Sequence, residues 1–403
     1  MPYQINNLQW TKRLEQAFIL ALILYVNAIH FSPAVASIAT GLLLLSSLLY
    51  GGFVNPTKQW KVNQLVALGI GVFWLIVGAS KGCEWSGSFQ RLSVLVPLFF
   101  LPSIVHISKN IALSKYWMYF VLPLLWIVLA SIINYITHYA FYAQMVLESK
   151  PIPLFSKVYH IEFSILCSVA ILAMGLWWVR DSKIPYKSAF LATFFLLFVG
   201  LHILSARTGI LALWVAVFVV GWGQRKRLPW KGVVVGLLVV GLVFGSIKGI
   251  RNRAINTVQD IQAVLNSENL NNKSFGQRWE GWKVAVYSWQ KNPLLGTGPC
   301  NFREDFMQAY QELNSHIDPT NQVLPHNQLL QTAVEFGFVG LILLAALFWI
   351  AFRCNFSNGM SGYGWALFWG IFMAAMFESI AERQAGMLAL VWVTVLISPE
   401  NKK

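Results

Sequence analysis

VLPHNQLLQTAVEFGFVGLILLAALFWIAFR, residues 323–353, decides the fold, because the polar approach Pro325-His326-Asn327 runs directly into an apolar stretch over 328–352. A hydrocarbon core about 30 Å thick takes about 20 apolar residues of helix, so this stretch predicts a membrane span with its mouth at His326. Working outward, runs of the same kind lie near 14–32, 34–54, 62–80, 91–107, 116–136, 158–179, 188–205, 209–223, 232–249, 361–378 and 384–398. With 57% hydrophobic and 11% charged residues and a mean hydropathy of +0.57, the chain falls outside the range of soluble globular proteins. The expectation is an all-α, polytopic membrane protein of about twelve transmembrane helices. Lys12 and Arg13 precede the first run and no small-residue cleavage site follows it, so it reads as a retained helix.

The formal charge of +14 does not form a nucleic-acid-binding stripe, because the cations alternate with the spans. With a cytoplasmic N-terminus, sixteen lysines and arginines fall on the cytoplasmic side, from Lys12 and Arg13 through Arg225 and Lys226 to Lys402 and Lys403. The opposite short loops hold six, namely Lys81, Arg91, Lys150, Lys157, Arg207 and Arg383. That asymmetry is the positive-inside pattern; it places both termini in the cytoplasm and the long polar excursion on the periplasmic face. The expected organisation is a bundle of about nine helices over 1–249, a periplasmic helical loop over 250–327, and a bundle of about three over 328–403. Cys83, Cys167, Cys300 and Cys354 are scattered without a CxxC pair and imply neither a disulfide framework nor a metal site.

Within the excursion, Trp279, Trp282, Val286 and Trp289 recur at spacings of three and four. They form one apolar helix face, of residues that favour the membrane boundary. Asn292-Pro293 ends that helix, Gly296-Thr297-Gly298-Pro299 predicts a turn that lets backbone approach closely, and a second helix is expected from about Phe302 to Asn314. The loop therefore reads as a small helical cap resting on the bundle.

His326, after Pro325, is expected in the first turn of a helix, where unpaired amides and the helix dipole favour anions and keep the imidazole neutral as a base. Asn327, Gln331 and Glu335 follow at four-residue spacing as a polar stripe entering an apolar helix; interfacial histidine and helix-bridging polar residues are the plainer reading. Arg207, in a short outward link, and Arg278, at the start of the tryptophan-faced helix, must each meet an anion or water. For these two, a cation reaching the membrane surface or pairing with Glu280 is the plainer reading. Glu378, Glu382 and Arg383 form an outward turn before the last span; a salt-bridge cluster is the plainer reading, and a contact for an acceptor or an ordering of the two arginines is the alternative. No Walker A, HExxH or DxD-type acidic metal pair is present.

Ser-Ala-Arg207-Thr-Gly between two spans, Gly276-Gln-Arg278-Trp, Asn-Pro293-Leu-Leu-Gly296-Thr-Gly298 and Pro-His326-Asn-Gln-Leu-Leu-Gln-Thr-Ala-Val-Glu335-Phe-Gly337 together resemble the O-antigen ligase family. The wider superfamily includes O-antigen polymerases and protein O-oligosaccharyltransferases, and the resemblance covers residues 190 to 345. It implies a GT-C-like membrane glycosyltransferase of the bacterial inner membrane, working at the periplasmic face, inverting, and needing neither cofactor nor metal. The implied donor is an undecaprenyl-diphosphate-linked glycan and the implied acceptor lipid A-core. Arg207 and Arg278 would hold the diphosphate and His326 would be catalytic. The alternatives are a polymerase using a second lipid-linked glycan, a protein O-oligosaccharyltransferase, which often carries a long soluble C-terminal domain, or a lipid-linked sugar transporter. A transporter would call for ionisable groups near the bilayer midplane and broken helices in both halves.

Overall fold

The computed structural model describes the chain except for residues 1, 82–92, 148–151, 181–183, 205–206, 227–237, 239–240, 242–244, 246–247, 267, 358–361 and 398–403. The expected span 232–249 falls largely outside the described residues, as does the start of the span at 91–107. Among the described residues the regular structure is entirely helical. The first half runs α1 (Pro2–Ala28), α2 (Pro33–Leu49), α3 (Lys58–Ser80), α4 (Leu101–Ser108), α5 (Trp117–Thr137), α6 (Tyr139–Leu147) and α7 (His160–Arg180). The second runs α8 (Lys187–Leu204), α9 (Arg207–Gly223), α10 (Lys248–Leu265), α11 (Ser274–Lys291), α12 (Phe302–Glu312), α13 (Gln328–Ser357), α14 (Gly362–Phe377) and α15 (Gln384–Ile397).

Among the described residues, six segments are long and apolar enough to cross a membrane: Pro33–Val54, Lys58–Ser80, Leu113–Thr137, His160–Val179, Lys187–Leu204 and Gln328–Ile350. Arg207–Gly223, Tyr363–Phe377 and Gln384–Leu396 are apolar but shorter. The chain is thus a helical membrane protein. Local chemistry sets the helix starts: the Ser32 hydroxyl accepts the Val35 N–H ahead of Pro33, and the Thr57 hydroxyl accepts the Trp60 N–H, both N-caps that satisfy an otherwise orphan amide. The apolar stretch of α7 is 83% buried, against 39 to 44% for the other five spans, so α7 is the centre of the bundle. The others turn side chains such as Leu65, Ile76, Trp126, Ile136 and Phe195 outward, as a lipid-facing surface requires.

The cap over 250–327 has its own small core of Val284, Ala285, Phe302, Phe306, Ala309 and Tyr310, completed by Val334 of α13. The face of α11 that packs is not the tryptophan stripe. Gly276, Glu280, Gly281, Val284, Ala285 and Ser288 are its buried residues, whereas Trp279 and Val286 are exposed and Trp282 and Trp289 half-buried. Small residues win that face because α11 lies close against the carbonyls of Val323 and Leu324, 3.2 and 3.5 Å from where a Cβ on Gly281 would stand. Cys300 is disulfide-bonded, which corrects the expectation of unlinked cysteines.

The span that opens at His326 is broken. Gly337 has φ +65° and ψ −161° inside α13, and the loop after α11 docks into the gap. Phe338 and Val339 N–H donate to the carbonyls of Pro293 and Leu294, and Thr297 and Gly298 N–H donate to those of Val334 and Glu335. Backbone groups freed by the break are thus satisfied by the cap, the condition on which irregular backbone is tolerated at membrane depth. Gly296 has φ +69°, and a Cβ on it would lie 2.5 Å from backbone atoms of Val334 and Glu335. Gly296→Ala is therefore expected to cost at least about 1–3 kcal/mol for the left-handed backbone alone. A clear drop in the melting temperature of the detergent-purified protein would register it; an unchanged melting curve would show that the cap does not dock here.

Candidate active site

His326 does not lie in the first helical turn. It stands two residues ahead of α13 with φ +44°, and the cap of that helix is Asn327, whose Oδ1 accepts the N–H groups of Leu329 and Leu330 at 3.0 and 3.1 Å. On the other side, Trp282 Nε1–H donates to the Pro325 carbonyl at 2.8 Å. Pinned on both sides, His326 is held in a left-handed conformation rare for a residue with a Cβ, the kind of strain that collects at functional sites. What addresses the imidazole is a carboxylate rather than a row of helix amides: Nδ1 lies 2.9 Å from Glu378 Oε1. An Nδ1–H donated to Glu378 leaves Nε2 bare and able to accept a proton, and it places a negative charge to stabilise the imidazolium so formed.

Glu378 is the hub. Its side chain is 8% exposed, and Oε2 lies 3.7 Å from Arg278 Nη2 without a hydrogen bond of its own, a loose pairing. Burial pushes this carboxyl upward, but the hydrogen bond and charge of His326, with the charges of Arg278 and Arg383, outweigh burial and hold it below the usual carboxylate range. Arg278 is anchored separately, Nη1–H donating to the Phe377 carbonyl at 2.9 Å, the residue just before Glu378. The turn carrying Glu378 is tied to α13 through Gln328 Oε1, which accepts the Ala381 N–H at 2.7 Å. Imidazole, carboxylate and guanidinium are thereby held in register by three different segments.

Arg383 stands beside this group, its Nε 3.4 Å from Glu162 Oε1 and its guanidinium 5.0 Å from the Tyr159 ring centroid. Glu382 is half-buried in the 3-10 turn Ile380–Glu382. Arg207 opens α9, which lies tight on α7: the Ser168 hydroxyl donates to the Gly209 carbonyl at 2.6 Å, and a Cβ on Gly209 would come within 2.4 Å of the Ser164 carbonyl oxygen. Arg207 Nη1 is 3.9 Å from Asp260 Oδ2, and Asp260 also accepts the Phe275 N–H, so one carboxylate links α9, α10 and α11. Arg207 is close enough to Arg278 to feel its charge. The stripe below His326 serves the helix: Asn327 caps it, and Gln331 Nε2–H donates to Glu335 Oε1 at 3.0 Å with both side chains nearly fully buried.

The structure thus brings His326, Arg278 and Glu378 into contact, with Arg383 and Arg207 flanking them. Arg278 pairs with Glu378 rather than Glu280, which is joined instead to Lys283 and Ser315. Sequence reading passed over Tyr159, Glu162 and Asp260. Glu162 carried a legible signal, being the single carboxylate in the apolar segment 160–180, and ionisable groups in spans default to function. An apolar cavity of about 290 Å³ lies between α13 and α14, walled by Leu341, Leu344, Phe348, Phe368 and Ile371. Gln328, Ile380 and Ala381 also line it, within two or three residues of His326 and Glu378.

Residues 191–345 match the family model described as O-Antigen ligase. No curated protein matches the chain.

Proposed function

The chain is a member of the O-antigen ligase family through residues 191–345, and on that premise we propose that it moves a glycan from undecaprenyl diphosphate to lipid A-core at the periplasmic face of the inner membrane. The observation that carries this reading is the orientation of His326 by the buried Glu378 at 2.9 Å, beside the guanidinium of Arg278. His326 Nε2 takes the proton of the acceptor hydroxyl as its oxygen attacks the anomeric carbon. The bond from that carbon to the diphosphate breaks, with inversion, and undecaprenyl diphosphate leaves. Arg278 and Arg207 meet the negative charge that grows on the leaving group, as planar, permanently charged donors can without a metal. Glu378 holds the imidazole and stabilises its charged form, Arg383 and Glu382 border the acceptor side, and the α13–α14 cavity takes part of the polyprenyl chain.

The same reading keeps about twelve spans in all, cytoplasmic termini, and the cap over 250–327 in the periplasm, between bundles at 1–249 and 328–403. The disulfide at Cys300 fits a cap in an oxidising compartment. The break at Gly337 is filled by cap backbone and the charged groups gather at one end of the spans, which favours an enzyme over a transporter. Reconstitution with an undecaprenyl-diphosphate glycan and either lipid A-core or a second donor tests it. Glycan joined to lipid A-core, undiminished by EDTA, is the expected result. Chain extension on the second donor alone would make the protein a polymerase, and strict dependence on added Mg²⁺ would overturn the arginine account.

A further inference from the structure

A second pocket lies at the far end of the bundle from His326. Two helices fix its place. α3 begins at the pocket and is followed by Lys81, whose carbonyl accepts Asn301 Nδ2–H of the cap at 2.8 Å; its 23 residues at 1.5 Å each separate the two ends by about 34 Å. α13 begins beside His326, and its Ile350 forms part of the pocket wall.

The cavity, about 270 Å³, is lined by Asn55, Asn63, Trp60, His106, Lys109 and Asn110 among others, and none of its lining residues is a carboxylate. Behind Asn110, whose Nδ2–H donates to the Tyr50 hydroxyl, that hydroxyl feels the charge of Glu15. The walls are held by their own bonds. Trp60 stacks on His106 with ring centroids 6.1 Å apart, and Trp60 Nε1–H donates to the Ser103 hydroxyl at 2.9 Å. His106 Nε2 meets the Asn55 carbonyl at 2.8 Å, and a π-helical turn at Tyr50–Val54 brings Gly51 against the Trp60 ring. Lys58 and Lys61, in the first turn of α3, flank the lining residues Gln59 and Trp60 in sequence. Further along α3, Val62, Leu65, Val66, Val72 and Ile76 are all exposed at spacings of three, one, six and four, an apolar stripe on one helix side that begins next to the lining residue Asn63.

We propose that this pocket binds the headgroup of an anionic phospholipid, its phosphate at Lys109, its hydroxyls on the side-chain amides of Asn63 and Asn110, and its acyl chains along the stripe of α3. Lysine beside tryptophan at the membrane boundary is the chemistry that recognises such lipids, and the attached apolar track is what a free phosphate would not use. The inference stands apart from the transfer chemistry. On the topology proposed above, the pocket opens to the cytoplasmic leaflet.

The test is native mass spectrometry of the full chain in an uncharged detergent, titrated with dioctanoyl phosphatidylglycerol, dioctanoyl phosphatidylcholine or glycerol 3-phosphate. Phosphatidylglycerol is expected to be retained in preference to the other two. Lys109→Gln should weaken it about fivefold, the worth of about 1 kcal/mol for one lysine near an anionic headgroup. Lys109→Arg should keep it, and Lys115→Gln, away from the lining, should leave it unchanged. Asn63→Leu, which leaves the charge alone, reads the same site if Lys109→Gln fails to fold, and it too should weaken binding. Equal retention of phosphatidylcholine, glycerol phosphate binding as tightly as the lipid, or wild-type retention by the folded pocket variants would each overturn the proposal.

Discussion

His326→Ala is expected to lower glycan transfer by at least about a hundredfold, the smaller end of what a positioned base contributes, while the protein still inserts and still binds its donor. The geometry supplies the reason: Nδ1 is committed to Glu378 at 2.9 Å, so Nε2 is the nitrogen left for the acceptor hydroxyl. Alanine also removes a hydrogen-bond donor from a carboxylate only 8% exposed, which costs about 1–3 kcal/mol of stability when a buried acceptor loses its partner. His326→Gln separates the two effects. Its amide N–H can still donate to Glu378 but has no basic nitrogen, so it should fold better than the alanine variant and be equally inactive. Near-normal turnover in the glutamine variant would demote His326 to a residue that merely positions the acceptor.

Arg278 carries the second large expectation. One nitrogen of its guanidinium donates to the Phe377 carbonyl at 2.9 Å while the other lies 3.7 Å from Glu378. Lysine is a point charge without that fork and cannot serve both while reaching a diphosphate. Arg278→Ala and Arg278→Lys should therefore each cost about 10²–10³ in turnover, the scale of removing a donor aimed at developing negative charge. The loss should appear with donors of any glycan length, because the diphosphate is common to them. Arg207 is more exposed, its side chain at 36% against 17% for Arg278, and stands off its carboxylate at 3.9 Å; its alanine variant should lose less. Normal kinetics in Arg278→Lys would mean that the guanidinium is structural, holding Glu378 and the Phe377 carbonyl together.

Much of this architecture follows from short-range information. Hydropathy over windows of about 20 residues marks spans whether or not their neighbours are known, and six of them stand in the structure with little change of boundary. Gly296 and Gly298 announced a close backbone approach, and both have positive φ against α13 or Lys81. Asn292-Pro293 ended α11 where expected. The tryptophan spacing marked one shared side of α11 and left open which side packs into the cap, because periodicity reports which residues share a side and not which side a neighbour takes.

The candidate site was legible as a set of residues and illegible as an arrangement. Arg207, Arg278 and His326 could be picked out by charge, chemistry and their places at span ends, since those are properties of each residue and its neighbours in sequence. Only the tertiary structure decided that Glu378 grips an imidazole 52 positions away and that Arg278 answers to a carbonyl 99 positions away. It likewise moved His326 out of the helix, because a tryptophan on another helix holds the Pro325 carbonyl and Asn327 takes the cap. The physical reason is one of range: whether a segment prefers lipid or water is summed from its own side chains, whereas the partner of a buried charge is set by which distant segments packing brings within about 3 to 4 Å.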